Sequence, residues 1–411
     1  MGPLFLWNQN TCGQLNPLRG TAGVGRVDCA CTKFRLIAVP VLLALAATVA
    51  AYAQQSEVDA SLNETFLMVP KKGLFTIELE TTIYKPDGEG PFPIAIINHG
   101  KALGDPRFQG RYRPAVAARY FLQRGYVVVV PMRQGFSKSQ GSYIGVGCNI
   151  SSNGDMQAED VKATLDYAVA QPWADKDHIV VVGQSHGGWT TLAFGTLNYP
   201  GVRALVNFAG GLRQENCAAW ERGLARAAAS YAKNTRTPSL WFYGDNDSYF
   251  STSTYRAMFE SYTEAGGPAR LVAFGTFGSD SHSLFGARTG ARLWQPEVTE
   301  FLRSAGMPSE PLDIYAKYGA TSLTEIPSRT DFAALDDEAA IPFLKDSGRT
   351  GYKTYLTKLT PRAFAIAPSG AWGWADGGED PLKRALANCN KFGKGLCKLY
   401  SVDDFLVWKS E

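Results

Sequence analysis

The sequence predicts an α/β fold with a doubly wound, mostly parallel sheet, followed by a small α+β domain. Three observations support this prediction. Between residues 65 and 305, short apolar runs alternate with amphipathic segments, a pattern typical of βαβ units. One of these runs leads directly into a serine flanked by glycines. After residue 308 the spacing of prolines, glycines and apolar residues changes, which indicates a second domain.

Six apolar runs predict the central strands. They are rich in valine and isoleucine and do not alternate with polar residues, as expected for parallel strands buried on both faces. The runs are Phe92–Asn98, Tyr126–Pro131, His178–Val182, Val202–Phe208, Pro238–Tyr243 and Ala269–Phe274. The stretch Glu64–Tyr84 alternates more, and we predict an antiparallel hairpin there, at the edge of the sheet.

Helical patterns lie between these strands. Pro114–Arg124 ends at a glycine, and Ala158–Ala170 places its apolar residues on one face. The segment 210–237 is too long for a tight connection, and its Ala/Arg-rich middle predicts a helical lid insertion over the site. The catalytic domain is therefore predicted to span residues 60–307.

The remaining residues, 312–411, are predicted to form the small C-terminal domain, after a linker with Pro308 and Pro311. Asp380-Pro381 opens a helix that ends at Gly393. Strands are predicted on either side of this helix, at Arg362–Ala367 and Lys398–Trp408.

Residues 1–53 have the pattern of an export signal. An uncharged run, Leu36–Tyr52, follows two basic residues and ends in Ala51-Tyr52-Ala53, the small-x-small pattern that signal peptidase accepts. The alternative is a retained membrane anchor, since the run approaches the roughly 18 to 20 residues that span a bilayer. Residues 1–32 suggest a gene start assigned too early. We expect a periplasmic or secreted bacterial protein without stable membrane insertion after cleavage.

Export would place the remaining four cysteines in an oxidising compartment, where an even count suggests two disulfides. Cys389 and Cys397 lie eight positions apart, so we predict one bridge between them and a second between Cys148 and Cys217. The alternative is four buried thiols. No second cysteine pair or neighbouring histidine gives the spacing of a zinc site.

Composition excludes several function classes. The 411 residues are 45% hydrophobic and 19% charged, with a formal net charge of +3. No Lys/Arg cluster stands out, so we expect no nucleic-acid partner. The sequence has no metal-ligand cluster, Walker motif or dinucleotide fingerprint, so we expect neither a metal nor a cofactor.

Ser185 is the candidate nucleophile. The pentapeptide Gly183-Gln184-Ser185-His186-Gly187 follows the strand His178–Val182 and opens a helical stretch. A nucleophile elbow requires this strand-turn-helix context, because small neighbours let the helix pack close to the strand. The alternative is a structural glycine turn.

A serine hydroxyl needs a general base, and the chain has four histidines. His178 starts the strand at the end away from Ser185, His186 adjoins the serine, and His99 ends an earlier strand. The remaining one, His282, lies after the last predicted strand, where loops gather over the site of a doubly wound sheet. We therefore predict His282 as the base; the alternative is a surface histidine.

The carboxylate that orients the base should lie between serine and histidine in the chain. The sequence Gly244-Asp245-Asn246-Asp247 follows a predicted strand. We choose Asp247, which is clear of the strand, and expect Asp245 to cap the turn. The alternative for Asp247 is a simple turn residue.

Two backbone N–H groups, those of His186 and Lys101, are predicted to bind the oxyanion. Met132, Trp189 and Phe250 flank likely site loops and are candidates for an apolar substrate pocket. The alternative for these three side chains is a place in the core, where large apolar residues usually lie.

Residues 65–305 resemble the α/β-hydrolase superfamily, nearest to dienelactone-hydrolase-like and carboxylesterase-like bacterial proteins, with a weaker likeness to prolyl-oligopeptidase-type peptidases. The matching pieces are Asn98-His99-Gly100, Arg133-Gln134-Gly135-Phe136-Ser137, the Ser185 pentapeptide, Gly244 to Asp247, and Asp280 to His282. The resemblance implies Ser185, Asp247 and His282 as a catalytic triad. The tail after residue 312 only vaguely resembles modules of other exported proteins, and this likeness implies no activity.

Dienelactone hydrolases use a cysteine nucleophile, so their lactone substrate is not carried over to this serine. We expect hydrolysis of a small-molecule carboxylic ester, thioester or lactone. A serine peptidase is the first alternative; it would need acids for a substrate amino terminus, for which Glu215, Glu221 and Asp280 are candidates. A non-catalytic binding protein on the same scaffold is the second.

Overall fold

The computed structural model describes residues 58–409, except 146, 215, 320–322, 359 and 378–379. The predicted export signal, residues 1–53, lies outside the described residues. No helix in the described part of the chain is long and apolar enough to cross a bilayer.

The larger sheet has eight strands in the order β1-β2-β4-β3-β5-β6-β7-β8. The strands are β1 (Glu64–Lys71), β2 (Ile77–Tyr84), β3 (Phe92–Asn98), β4 (Val127–Pro131), β5 (Ala174–Gln184), β6 (Val202–Phe208), β7 (Ser239–Tyr243) and β8 (Ala269–Ala273). β1 pairs antiparallel with β2, and β2 with β4, whereas the other pairings are parallel. The predicted fold class and the edge hairpin are confirmed.

Six helices cover the two faces of this sheet, so its inner strands are buried throughout. All five residues of β4, for example, are buried, which explains its unbroken valine run. The helices are α1 (Ala115–Leu122), α2 (Ile150–Val169), α3 (His186–Gly195), α4 (Trp220–Ala232), α5 (Thr252–Glu264) and α6 (Ala291–Ser304).

Helix α2 begins eight residues before the predicted start. The Asn149 side chain accepts the N–H of Ser152 at 3.2 Å and caps the helix. Gly154 obscures the helical pattern, because glycine disfavours helix interiors. A Cβ at Gly154 would lie 2.3 Å from the hydroxyl of Tyr231 on α4, so this glycine lets the two helices approach each other.

The predicted insertion 210–237 contains one helix, α4, which packs between α2 and α5. Tyr231 donates to the carbonyl of Ser151 at 2.6 Å, and Glu221 accepts from Thr254 on α5 at 2.8 Å. The helix thus belongs to the layer that covers one face of the sheet. A role as a lid stays a prediction.

The linker after α6 packs against the catalytic domain. The Tyr126 hydroxyl donates to the carbonyl of Pro308 at 2.6 Å, and Tyr315 and Tyr318 are buried in the core of the larger sheet. The first residues of the predicted C-terminal domain thus pack on the catalytic core, and the boundary at residue 312 stays a prediction. The side chains that pack in the small domain begin at about Ala333.

The small domain is a second, antiparallel sheet with a helix on each face. Its strands, in the order β10-β9-β11-β12, are β9 (Arg362–Ile366), β10 (Trp372–Asp376), β11 (Lys398–Val402) and β12 (Phe405–Leu406), and its helices are α7 (Asp346–Leu356) and α8 (Pro381–Gly393). Phe364 packs with Tyr352 of α7, whereas Ala363 and Ala365 pack with Leu382 of α8. The predicted helix is confirmed. The single strand predicted at Lys398–Trp408 is wrong, because the chain turns at Asp403, whose φ is 50°.

Both predicted disulfides are present. Cys148 and Cys217 precede α2 and α4, and their Cα atoms lie 5.7 Å apart across a sequence separation of 69. Cys389 and Cys397 join the end of α8 to the start of β11, with a separation of 8. The first bridge holds together two segments that approach the site, and the second closes a short loop in the small domain.

Replacing each disulfide by serines should destabilise the protein by different amounts, because a longer closed loop restricts the unfolded chain more. We expect about 4 kcal/mol for Cys148→Ser with Cys217→Ser, and about 2.5 kcal/mol for Cys389→Ser with Cys397→Ser. Urea unfolding followed by tryptophan fluorescence measures both. Equal losses for the two pairs would contradict the loop-length explanation.

Candidate active site

The candidate site residues lie at the carboxyl ends of the parallel strands. The chain leaves β3 towards β4 on one side and leaves β5 towards β6 on the other, so a crevice opens where β3 and β5 lie side by side. Ser185 follows β5, and Lys101 follows β3. Asp247 and His282 follow β7 and β8.

Ser185 occupies a strained turn between β5 and α3. Its φ of 57° and ψ of −125° lie in a region that residues other than glycine rarely adopt. This backbone conformation costs about 1–3 kcal/mol of folding free energy. The Ser185 N–H donates to the carbonyl of Phe208 at 2.9 Å, and its carbonyl accepts from Trp189 at 3.0 Å. Neighbouring backbone thus holds the turn at both ends, and the half-buried side chain projects from it.

The glycines around Ser185 are needed for close packing. A Cβ at Gly183 would lie 2.1 Å from the carbonyl oxygen of Gly187, and a Cβ at Gly187 would lie 2.1 Å from that of Asn98. No larger residue fits at either position unless the backbone moves. The spacing of these glycines therefore brings α3, β5 and the end of β3 together.

Asp247 and His282 form a buried pair. The Nδ1 atom of His282 lies 2.9 Å from Oδ2 of Asp247, and both side chains are almost fully buried. The N–H groups of Tyr249 and Phe250 donate to Oδ1 of Asp247 at 2.8 and 2.9 Å. The carboxylate therefore assigns the proton to Nδ1 of His282 and leaves Nε2 as the acceptor.

The histidine loop is also joined to the serine turn. The Gln184 side chain donates to the carbonyl of His282 at 3.0 Å. Among the described residues, no hydrogen bond within 3.5 Å joins Ser185 Oγ to His282, a contact that commonly tightens only when substrate binds. Asp245 accepts from Thr252 and Tyr255, both at 3.3 Å; these contacts fit the expected capping role.

The two predicted oxyanion donors flank the serine. His186 begins α3, and its N–H has no carbonyl partner within the helix. A Cβ at Gly100 would lie 3.2 Å from the Ser185 Cβ, so the loop carrying Lys101 passes close to the nucleophile. Neither N–H is the donor in any hydrogen bond found among the described residues.

Arg133, which follows β4, connects these two segments beneath the serine. Its guanidinium donates to the carbonyl of His99 at 2.8 Å and lies 3.3 Å from Nδ1 of His186. A third contact, to Gln157 at 2.8 Å, holds it from α2. The sequence places Arg133 in a recognisable motif, but nothing in that motif shows which segments the side chain joins.

The two histidines beside Arg133 are neutral. Burial, together with the Arg133 charge, holds the pKa of both His99 and His186 well below its usual range. Nε2 of His99 accepts the N–H of Arg133 at 3.1 Å, and Nε2 of His186 lies 2.7 Å from the Asn153 side-chain oxygen. Burial also lowers the pKa of Arg133 to about 10, so this arginine keeps its charge near neutral pH.

Two of the three predicted pocket residues lie in the core. Met132 and Trp189 are fully buried, and the Trp189 indole donates to the carbonyl of Ile150 at 3.1 Å. They present no surface to a substrate, so this assignment does not agree with their burial. Phe250 is buried but has its ring 5.8 Å from that of His282. Tyr249, which was not predicted, is half-buried with its ring 4.5 Å from the imidazole.

No group of three His, Cys, Asp or Glu side chains in the described part of the chain could hold a metal ion.

The neutral histidines should make stability fall in mild acid. Unfolded histidine binds a proton near pH 6.5, whereas His99 and His186 stay neutral in the folded protein, so the unfolded state gains protons as the pH drops. Each histidine should therefore lower the free energy of unfolding by about 1.4 kcal/mol for every pH unit below about 6.5. Urea unfolding at pH 7, 6 and 5 measures the slope.

His186→Gln should remove about one histidine's share of this slope, and His99→Gln offers a second measurement if the first variant folds poorly. A slope unchanged in both variants would contradict the assignment of neutral buried rings.

Residues 73–238 match the family of X-Pro dipeptidyl-peptidases, the S15 peptidases. No curated protein matches the chain. Solved structures with similarity include dipeptidyl peptidase 4 of Porphyromonas gingivalis, at 20% identity and a TM-score of 0.45, over 59% of this chain and 35% of that one. The chain thus spans about a third of that protein's length.

Two other similar structures are shorter proteins. A putative dienelactone hydrolase from Klebsiella pneumoniae shares 18% identity, with a TM-score of 0.42, over 59% of this chain and 98% of its own. An esterase of Pyrococcus furiosus shares 16% identity, with a TM-score of 0.44, over 60% and 92%.

The family match contains β2 to β6 and the serine turn between β5 and α3. In the eight-stranded sheet, this turn follows β5, a parallel strand near the centre of the sheet. A nucleophile elbow occupies this position. The larger sheet therefore has the architecture of the α/β-hydrolase fold, and residues 73–238 within it are similar to the S15 peptidases.

Proposed function

We propose that the protein hydrolyses small carboxylic esters through an acyl-serine intermediate, with Ser185 as nucleophile, His282 as base and Asp247 as its orienting carboxylate. The observation that carries the proposal is the buried hydrogen bond between Nδ1 of His282 and Asp247, on a loop that the Gln184 side chain joins to the strained turn of Ser185. Burying a carboxylate and an imidazole costs free energy of folding, which favours a functional role for the pair.

In the first step, Nε2 of His282 takes the proton of Ser185 as Oγ attacks the ester carbonyl. The resulting oxyanion accepts hydrogen bonds from the N–H groups of Lys101 and His186. The tetrahedral intermediate collapses, and the alcohol leaves with the proton from His282. Water then attacks the acyl-serine, His282 takes its proton, and the acid leaves as Oγ recovers a proton.

Arg133 has a positioning role in this mechanism. It joins the carbonyl of His99, two residues before Lys101, to the ring of His186. The two oxyanion donors therefore depend on one guanidinium for their separation. Lysine would keep the charge but offers no planar fork that reaches both partners.

A peptide substrate is the alternative, favoured by the family match to X-Pro dipeptidyl-peptidases. Such an enzyme needs an acid for the substrate amino group. Of the candidates, Glu221 accepts from Thr254, and Asp280 accepts from Ser248 and from the N–H of His282; Glu215 lies outside the described residues. Because both described carboxylates already have partners within the chain, we place esters first.

The two disulfides support action outside the cytoplasm, because such bonds persist in oxidising compartments. This part of the proposal agrees with the export signal expected from the sequence.

A serine-directed phosphonate with short p-nitrophenyl esters tests the nucleophile. The wild type should turn over the esters, lose activity with the phosphonate, and carry the label on Ser185. Ser185→Ala should lose activity and label, whereas Ser369→Ala, at an exposed serine of the small domain, should keep both. Turnover of aminoacyl anilides in preference to esters would favour the peptidase, and no label with either substrate class would contradict the proposal.

Asp247→Asn should lower kcat by about 10³- to 10⁴-fold with little change in KM, since the amide no longer stabilises the imidazolium or fixes its tautomer. Asp245→Asn, at the neighbouring turn carboxylate, is the matched control and should stay within about twofold of the wild type. Steady-state kinetics with a p-nitrophenyl ester decides. Equal effects of the two substitutions would contradict the assignment of Asp247.

Arg133→Lys should lower kcat by about tenfold or more with KM nearly unchanged, a smaller loss than deletion of a whole oxyanion donor. The affinity for a trifluoromethyl ketone should fall by the same factor, because this inhibitor forms the oxyanion. Arg226→Lys, on the exposed face of α4, is the control. Unchanged ketone affinity in a variant that has lost activity would mean that Arg133 only stabilises the fold.

A further inference from the structure

The small domain touches the catalytic domain in the segment that carries His282. Ser279, three residues before the histidine, donates to Oδ2 of Asp404. After the histidine, Gly286 lies against Pro361 of the small domain. Arg288 donates to the carbonyl of Thr324 at 3.3 Å, a linker residue whose N–H donates to Asp380 of the small domain. The contacts bracket His282 on both sides.

Asp404 is held rigidly within the small domain. It lies at the turn between β11 and β12, and its Oδ1 accepts from Arg362 at 2.8 Å. The side chain of Arg362 is 7% exposed, and its guanidinium also donates to the carbonyls of Tyr355, Leu356, Lys358 and Asp403. One carboxylate oxygen is thus fixed by the arginine, and the other is left for the partner domain.

The loop that receives this contact packs on the catalytic core through Phe274 and Phe277, but its glycines are open to their surroundings. Gly275 and Gly278 have positive φ, and a Cβ at either would meet no atom within 4 Å. Hydrogen bonds therefore set the position of residues 278–280, directly before His282. Asp280 accepts the N–H groups of His282 at 2.9 Å and of Ser248 at 3.1 Å, and the Ser279 contact with Asp404 lies directly beside them.

The chain beyond His282 is fixed differently. Leu284 and Phe285 are buried in the catalytic core, where the Phe285 ring stacks on that of Phe208 at 4.3 Å. The residues after His282 are therefore anchored by apolar packing, whereas residues 278–280 directly before it are held by polar contacts, one of which comes from the small domain.

We propose that the small domain positions the catalytic histidine, with Asp404 acting through Ser279 as a positioning residue. The inference rests on the proposed function of His282 and gives the small domain a part in it. The contact is charge-assisted and partly exposed, so its loss should have a modest effect on activity. We expect a change in kcat of about fivefold.

A double-mutant cycle with Ser279→Ala and Asp404→Ala tests the coupling in the full chain. Each single variant should lower kcat for a p-nitrophenyl ester by about three- to tenfold, with KM within about twofold. The double variant should be no slower than the slower single one. Asp404→Asn, which keeps an oxygen acceptor, should recover most of the activity. Asp331→Ala, at an exposed acid of the same domain, should match the wild type.

Hydrogen exchange gives a readout that needs no turnover. In Asp404→Ala, residues 275–283 should exchange several-fold faster than in the wild type, whereas exchange in β9 stays slow. Unchanged exchange in 275–283, or single effects that multiply in the double variant, would overturn the inference. A wild type that neither turns over esters nor labels Ser185 would instead contradict the proposed function, and the exchange rates would still decide the positioning.

Discussion

The close approach of three backbone segments around Ser185 is the constraint on which the rest of the site depends. The strand β5, the helix α3 and the end of β3 come together at Gly183, Gly187 and Asn98. A Cβ atom at either glycine would lie 2.1 Å from a backbone oxygen, so neither position has room for a side chain. This packing forces Ser185 into its strained conformation and leaves the N–H of His186 at the start of a helix. A strained residue persists only where its surroundings fix it, and here two glycines and a buried strand do so.

The charged side chains around the site form two separate groups. Burial, together with the charge of Arg133 between them, keeps His99 and His186 neutral, so their hydrogen bonds have fixed directions. The pair of Asp247 and His282 lies apart from this cluster, on loops after β7 and β8. On our proposal, the charged Arg133 supports the oxyanion side, while His282 stands on the side where protons move.

The two domains differ in what they contribute. The larger sheet brings strand ends together, as doubly wound sheets do. The small sheet has separate apolar clusters on its two faces and touches the catalytic domain near His282. The linker with Tyr315 and Tyr318 packs on the catalytic core. On our proposal, this attachment turns an otherwise separate domain into a support for one catalytic residue.

The sequence by itself determined the strands, the serine turn and the cysteine pairs, because these follow from local patterns: unbroken valine runs, glycine spacing and cysteine count. It also singled out His282 and Asp247 by chain order. Only the tertiary structure showed that Met132 and Trp189 are core residues, that Arg133 joins two loops, and that the linker packs on the catalytic domain. Each of these depends on contacts between residues far apart in the chain, and a local pattern carries no information about which distant side chain will lie opposite.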